Sequence, residues 1–354
     1  VNRSRSGPLR VLLDINHPSQ AHILRAVHGA CRARGHDLEV VARDKDVTLA
    51  LLRAFDIPFL CLSKARPGRL GAARELMERE LRFYRVVRRF RPHILLGTSV
   101  HAARASRLFG GRSVILNEDD ASVVPLFTRI AYPFAHRIVT PDCLKHEDWG
   151  DRHRTYPGSQ KLFYLHRDRF TANPEIPRSL GLTSPYALVR LSSLTAHHDA
   201  GRRGLDRSSV SGLAARLHGQ VEVLVSTEAP MEPPEGTRLL KAPPETVHHI
   251  LASARFVMSD SQSMTAESAL LGVPAVRVND FVGRLSALAE LEGRGMAFGF
   301  GPGQASEAIA LAARFALDDS ARRDFQKKQD SYFQETPDPL PWLIALIEDL
   351  ARGA

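Results

Sequence analysis

The chain has 354 residues, 44% hydrophobic and 25% charged, a balance that excludes a disordered or fibrous protein and exceeds the needs of one ordinary core. No run is long and apolar enough to span a bilayer, and the basic start VNRSRSGPLR has neither an apolar signal core nor a cleavage site. The net charge of +9 comes from arginine scattered along the chain without an aromatic-interleaved basic motif, so no nucleic-acid partner is expected. Cys31, Cys61 and Cys143 are too few and too far apart for a disulfide framework or a zinc spacing. A cytoplasmic protein is the expectation.

LRVLLDI (9–15) reads as a short apolar strand with a carboxylate near its end. The polar loop NHPSQAH leads into a helix-periodic run closed by Gly35, and LEVVAR (38–43) follows as a strand, completing a βαβ unit. RELMERELRFYRVVRRFRP (74–92) predicts an amphipathic helix whose apolar face is Leu76, Leu81, Tyr84, Val87 and Phe90, with arginines opposite. Its expected role is a solvated helix packed on a sheet. The alternative is a peripheral contact with anionic lipid at the inner membrane face, or with an anionic acceptor. HILLGTS (93–99), SVILNED (113–119) and HRIVTP (136–141) continue the alternation of strands and helices.

Residues 166–185, rich in proline and polar side chains, break the pattern as a linker would. Alternation then restarts with YALVRLSS (186–193), VEVLVSTE (221–228), ARFVMSDS (254–261) and PAVRVND (274–280). An amphipathic helix over 338–352 ends the chain and is expected to pack back toward the first domain. The fold class is α/β: two Rossmann-like, doubly wound parallel-sheet domains, 9–165 and 186–335. Ligands of such sheets bind beyond the carboxyl ends of the strands, here in a central cleft between the domains.

The stretch SDSQSMTAESALLGVPAV (259–276) sets a hydroxyl-rich turn between a strand and a helix that Gly272 and Pro274 terminate. Ser259, Asp260, Ser261, Gln262 and Ser263 surround a helix N-terminus, where unpaired amides and the helix dipole favour an anion. Met264 and Thr265 open the helix, and Glu267 lies further along it, suited to accept from a ribose diol. The structural alternative is a plain Ser261 N-cap and a solvated Glu267. No Walker lysine and no GxGxxG accompany the turn, which disfavours ATP hydrolysis and dinucleotide binding.

This segment resembles the nucleotide-sugar motif of the GT-B glycosyltransferases and of the UDP-N-acetylglucosamine 2-epimerases. With DINHPSQAH (14–22), NEDDASVVPLFTRIAYPFAHRIVTP (117–141), KLFYLH (161–166) and LVRLSSLTAHHDAGRRGL (188–205), the chain is similar to domain-of-unknown-function family 354 over residues 9–335. The resemblance implies GT-B architecture and a nucleotide-diphosphate-sugar donor as co-substrate, with no further cofactor and no essential metal. It implies transfer to a small-molecule, glycan or lipid-linked acceptor; the alternatives are 2-epimerisation of the nucleotide sugar and binding without catalysis.

It also implies roles for particular residues. Asn16, His17 and Gln20 fall on the acceptor side, and His22 is a candidate base because imidazole titrates near neutral pH. Glu118 and Asp119, beside Asp120, are candidate acid–base groups, the alternative being that Asp119 or Asp120 caps the next helix. Arg190 matches phosphate oxygens with its planar fork; Ser192, His198, Asp199, Ser226 and Thr227 line the same strand ends. The run of His197, His198 and Asp199 is unsuited to one metal ion because adjacent histidines diverge. Residues 239–251 correspond to a base-contacting segment, with His248 and His249 as surface neighbours, and Arg284 is a second candidate cation.

Overall fold

The computed structural model describes residues 7–191, 205–227 and 231–353. Two compact units result, one running to Tyr164 and resuming at Pro337, the other spanning Leu165–Thr336. In the first unit seven strands form one sheet: β1 (Arg10–Ile15), β2 (Asp37–Asp44), β3 (Leu60–Lys64), β4 (Ile94–Gly97), β5 (Arg112–Leu116), β6 (Arg137–Pro141) and β7 (His153–Tyr156). Their order is β3-β2-β1-β4-β5-β6-β7, every neighbouring pair parallel. The second unit holds β8 (Tyr186–Leu191), β9 (Glu222–Thr227), β10 (Thr237–Leu239), β11 (Val257–Ser259), β12 (Ala275–Val278) and β13 (Ala297–Phe300). These too are all parallel, in the order β10-β9-β8-β11-β12-β13. Each sheet reverses its direction of growth once, between β1 and β4 and between β8 and β11. A crevice opens beyond the carboxyl ends at such a point.

Strands covered on both faces are mostly apolar, as in β1, where Val11 to Ile15 are all buried. The carboxylate within it, Asp14, is held by Arg79 and by the Ser99 hydroxyl. Gly97 at the end of β4 is imposed by this crowding: a Cβ there would lie 2.5 Å from the Asp14 carbonyl oxygen. In the second unit Val189, Leu191, Met258, Val276 and Val278 face a core completed by the helices Arg207–Leu217 and Ala305–Leu317. Alternation along the strands therefore turns Arg190, Ser259 and Arg277 to the other face.

The helix Gly68–Phe90 corrects the face expected from its sequence. Val87 is buried and Tyr84 and Phe90 are partly covered, but Leu76 and Leu81 are exposed, while Glu75 and Arg79 point inward. Arg79 pairs with Asp14 and donates to the Ala42 carbonyl at 3.1 Å. Glu75 accepts from Arg43 at 2.6 and 2.7 Å and from Ser63 at 2.9 Å. Burial alone would raise the Glu75 pKa, but these bonds outweigh it and hold it below the usual range. Phe83, Val86 and Val87 enter the core, and the charge partners in the sheet turn Glu75 and Arg79, one to two turns earlier, inward as well.

Residues 166–185, read as a linker, contain a short helix, Glu175–Ser179, and are bonded to the second unit: Phe170 packs 4.9 Å from the His249 ring, and Asn173 N donates to His249 Nδ1 at 3.0 Å. The terminal helix Pro339–Arg352 belongs to the first unit, where Glu348 contacts His36 at 3.1 Å and the Trp342 ring lies 5.9 Å from Tyr156. Among the described residues no helix is long and apolar enough to cross a membrane.

Candidate functional site

In the second unit β11 ends at Ser259, and the helix Gln262–Leu270 begins three residues later. The turn is built by its own hydroxyls. Ser259 Oγ accepts from the Ser261 amide at 2.8 Å, Ser261 Oγ accepts from the Met264 amide at 3.4 Å, and Thr265 Oγ1 donates to the Ser261 carbonyl at 2.8 Å. With the Thr265 amide also donating to the Ser261 carbonyl at 3.2 Å, every amide from Ser261 to Thr265 except two has a partner in the turn. The amides of Gln262 and Ser263 meet no acceptor among the described residues, and both residues are only half-buried. Asp260 is buried, its carbonyl accepting from Asn279 Nδ2 at 3.0 Å. Gly272, with φ of 66°, lets the chain leave the helix toward Pro274 and β12.

Register completes the picture. Ser259 is level with Arg190 on β8 and with Arg277 on β12, and Arg190 is level with Ser226 on β9. Arg190 Nη1 donates to Ser226 Oγ at 2.8 Å. Arg277 is fully buried, and its Nη2 reaches Glu292 Oε1 at 2.8 Å. Two guanidinium groups thus stand on the strands either side of Ser259, at the switch point of the sheet. The sequence pattern missed Arg277, because a lone arginine inside AVRV reads as strand surface.

Glu267 is neither solvated nor alone: it is buried, with Oε1 3.3 Å from Nε2 of His248 on the helix Val247–Ser253. His248 was expected at the surface; the correction follows from its position facing the helix Gln262–Leu270, where it meets this carboxylate. Thr227, half-buried, ends β9. Arg284 is exposed, its guanidinium 5.6 Å from the ring of Phe281 in the same loop. Ser192, Ser193, His197, His198, Asp199 and Glu228 lie outside the described residues.

In the first unit the carboxyl ends of β1, β4 and β5 carry the remaining candidates. Asn16 Nδ2 donates to the Thr98 carbonyl at 3.4 Å, and the Asn16 amide donates to Gln20 Oε1 at 2.8 Å. His17 caps the helix Pro18–Ala33, its Nδ1 accepting from the Ser19 amide at 3.3 Å. His22 lies inside that helix and is buried between Tyr164 and Phe55, each ring centroid 5.3 Å away. A base must reach its substrate, and His22 is placed less openly than the carboxylates after β5.

Those carboxylates form the better-defined cluster. Glu118 is paired with the buried ammonium of Lys161. Burial, and then the charge of Glu118, raise the pKa of Asp119 to about 6, against a downward pull from Lys161. Asn117 fixes the loop by donating to the Asp119 carbonyl at 2.8 Å and to Tyr132 OH at 3.0 Å. Neither Asp119 nor Asp120 caps the next helix, Pro125–Ala131; Val124 precedes it and provides no side-chain bond. The Asp120 carbonyl instead accepts from the amides of Val123 and Val124, closing a turn. Lys161 is the residue that sequence reasoning passed over. Its signal was the apolar run Leu162, Phe163 and Tyr164 directly after it, which drags the lysine inside. Among the described residues no three His, Cys, Asp or Glu side chains converge to hold a metal ion.

Comparison with solved structures identifies the fold. The spinosyn forosaminyltransferase SpnP superposes with a TM-score of 0.66 at 14% identity, covering 96% of this chain and 100% of that one. A UDP-N-acetylglucosamine 2-epimerase gives 0.64 at 14% identity, covering 98% and 94%. The spinosyn rhamnosyltransferase SpnG complexed with thymidine diphosphate gives 0.64 at 14% identity, covering 96% and 100%. No protein-family model and no curated protein sequence matches the chain. The fold is that shared by the GT-B glycosyltransferases and the UDP-N-acetylglucosamine 2-epimerases.

Proposed function

We propose that the chain is a glycosyltransferase of the GT-B type, within domain-of-unknown-function family 354, that takes a nucleotide-diphosphate sugar as donor. The observation that carries this is the Ser261-capped helix end at the switch point of the second sheet, between Arg190 and Arg277. Free amides, a helix dipole and a flanking guanidinium suit a diphosphate, and they act most strongly as the departing group gains charge. Arg277, fully buried, contributes field and not contact. The uridine and thymidine names among the similar structures suggest which bases to try first.

Transfer requires an acceptor hydroxyl to attack the anomeric carbon while the bond from that carbon to the diphosphate oxygen breaks, its electron pair leaving with the diphosphate. The hydroxyl proton goes to a carboxylate, and Asp119, poised near neutrality beside Glu118, is the group best tuned for it. His17, Asn16 and Gln20 belong to the acceptor side, with a small-molecule, glycan or lipid-linked acceptor.

One observation favours a second chemistry. Glu118, Asp119 and Lys161 together give two carboxyl groups and a buried ammonium in one loop cluster, a set of proton-carrying groups that 2-epimerisation of a nucleotide sugar would use. Calorimetry with UDP and TDP tests the shared premise: Arg190→Ala should weaken binding at least tenfold, the order of one charge-assisted phosphate bond. Equal affinity in the variant, or no binding of either diphosphate by the intact chain, would sink it. Incubating sugar nucleotides in deuterium oxide without acceptor then separates the chemistries, since only epimerisation exchanges the hydrogen at C2.

A further inference from the structure

With Glu75 and Arg79 turned inward, the opposite face of the helix Gly68–Phe90 is left outside. Leu70, Met77, Leu81 and Arg88 are spaced by seven, four and seven residues, so they fall on one line along it. Leu70 is 88% exposed, Met77 67% and Leu81 60%. The line is about 27 Å long at ~1.5 Å per residue. Tyr84 meets Phe109 edge-on at 5.1 Å, which carries the apolar surface onto the helix Val100–Phe109 and its exposed Leu108. An outward helix face normally carries polar side chains; a row of exposed apolar ones, here broken only by Arg74 between Leu70 and Met77, marks a contact surface.

The charge around the stripe is in positive excess. The helix contains seven arginines and three glutamates. Glu75 is buried, Glu78 is paired with Arg66 and Arg74, and Glu80 with Arg104. Arg85 and Arg88 form no ion pair among the described residues and are exposed. At the end of the helix a cavity of about 440 Å³ is walled by Arg10, Arg88, Arg91, His93 and Phe109, with no acidic side chain in its lining. Arg10 Nε is anchored on the Arg91 carbonyl at 2.8 Å. The cavity opens at the amino ends of β1, β4 and β5, the edge opposite to Asn16 and Glu118, so its occupation leaves the candidate catalytic loops uncovered.

We infer that this face of the first unit docks on a bilayer surface bearing anionic phospholipid, the Leu70–Met77–Leu81 stripe entering the acyl boundary and the basic cavity taking a phosphate headgroup. A free phosphate compound has no use for the apolar stripe, and a second copy of the same positive face would repel it. An anionic bilayer satisfies both features at once. The proposal does not depend on what the turn at Ser259 binds.

The test is co-sedimentation of the full chain with vesicles of phosphatidylcholine, with and without phosphatidylglycerol. Binding is expected only to the anionic vesicles and falls with added salt. Arg88→Gln with Arg91→Gln should lower the partition coefficient roughly thirtyfold, at ~1 kcal/mol per arginine near the surface. Met77→Asp with Leu81→Asp should abolish it, and both pairs, being exposed, should keep the wild-type melting temperature. A chain that stays in the supernatant with anionic vesicles overturns the proposal, as does undiminished binding of either variant. Calorimetric binding of soluble glycerol phosphate that needs Arg88 and Arg91, without vesicle binding, would assign the cavity to a free phosphate instead. Light scattering that shows a dimer dissolved by the Met77→Asp change would assign the stripe to a second copy.

Discussion

Replacing Lys161 by methionine is the most informative single perturbation of the first unit. The side chain is almost fully buried, and its ammonium sits on Glu118, next to Asp119. Methionine keeps most of the volume and removes the charge. Asp119 then retains the three influences that raise its pKa, burial and the charges of Glu118 and Asp120, and loses the one that lowers it. The sign is therefore upward. A cation this close to a carboxyl pair typically moves a pKa by ~1–3 units, and a shift of about one unit from the present value near 6 is the modest end of that range. If Asp119 acts as a base, only its ionised form works. At pH 6.5 the ionised fraction would fall about threefold, while at pH 8 it would hardly change. Carboxyl carbon NMR, with Asp119→Asn to assign the resonance, measures the midpoint without needing the substrate. A midpoint that stays put or moves down would refute the placement of Lys161 as the group that tunes Asp119. Because an unpaired Glu118 is partly exposed, at about 20% of its side-chain surface, the fold should lose about 2–3 kcal/mol by urea titration, below the ~3–5 expected for a fully buried pair.

Two further outcomes follow from buried charge. Arg79→Met should destabilise the first unit by about 3–5 kcal/mol, since buried Asp14 would lose its cation and keep the Ser99 hydroxyl; adding Asp14→Asn should recover part of that loss in urea unfolding, and a more severe double variant would mean that the pair is not what orients the helix. Glu267→Ala should lower the affinity for UDP or TDP about tenfold, a loss of ~1.4 kcal/mol for a hydrogen bond to a charged group, and unchanged calorimetric affinity would leave Glu267 as a partner of His248 alone.

The parts of the fold legible in the sequence are those buried on both faces. β4 is wholly apolar, and β1, β5, β8 and β12 are apolar except at Arg10, Asp14, Arg112, Ser113, Arg190 and Arg277, because helices cover both sides of a parallel sheet. The strands that the sequence pattern does not reveal are β3, β7, β10 and β13, and these are the four sheet edges. Their side chains are largely half-exposed: His153 and Arg154 stand in β7, and Thr237 and Arg238 in β10. An edge strand needs only one neighbour, so it tolerates polar residues and leaves no periodic signature. The same limit explains the helix Gly68–Phe90. Hydrophobic periodicity places every arginine and glutamate outside, and it fails where Asp14, Arg43 and Ser63 wait as partners inside.

The candidate site divides along the same physical line. The turn at Ser259–Ser263 was visible because a helix end must satisfy its own amides locally, and small hydroxylated residues in sequence do so whatever the tertiary fold. Pairings across the sheet are different in kind. Arg190 and Arg277 are 87 residues apart, and only parallel register on either side of β11 makes them neighbours of Ser259. Lys161 and Glu118 meet across 43 residues through loops that leave the carboxyl ends of β7 and β5, on either side of β6. A charge that looks solvated in the chain becomes a partner once its strand or loop is placed, as Arg277 and Lys161 do. Because burying one without its counterpart costs several kcal/mol, the pairs Lys161–Glu118 and Arg79–Asp14 constrain strand placement as firmly as the apolar core does. The electrostatics of Asp119 and the packing under Gly68–Phe90 are thus two consequences of the same topology.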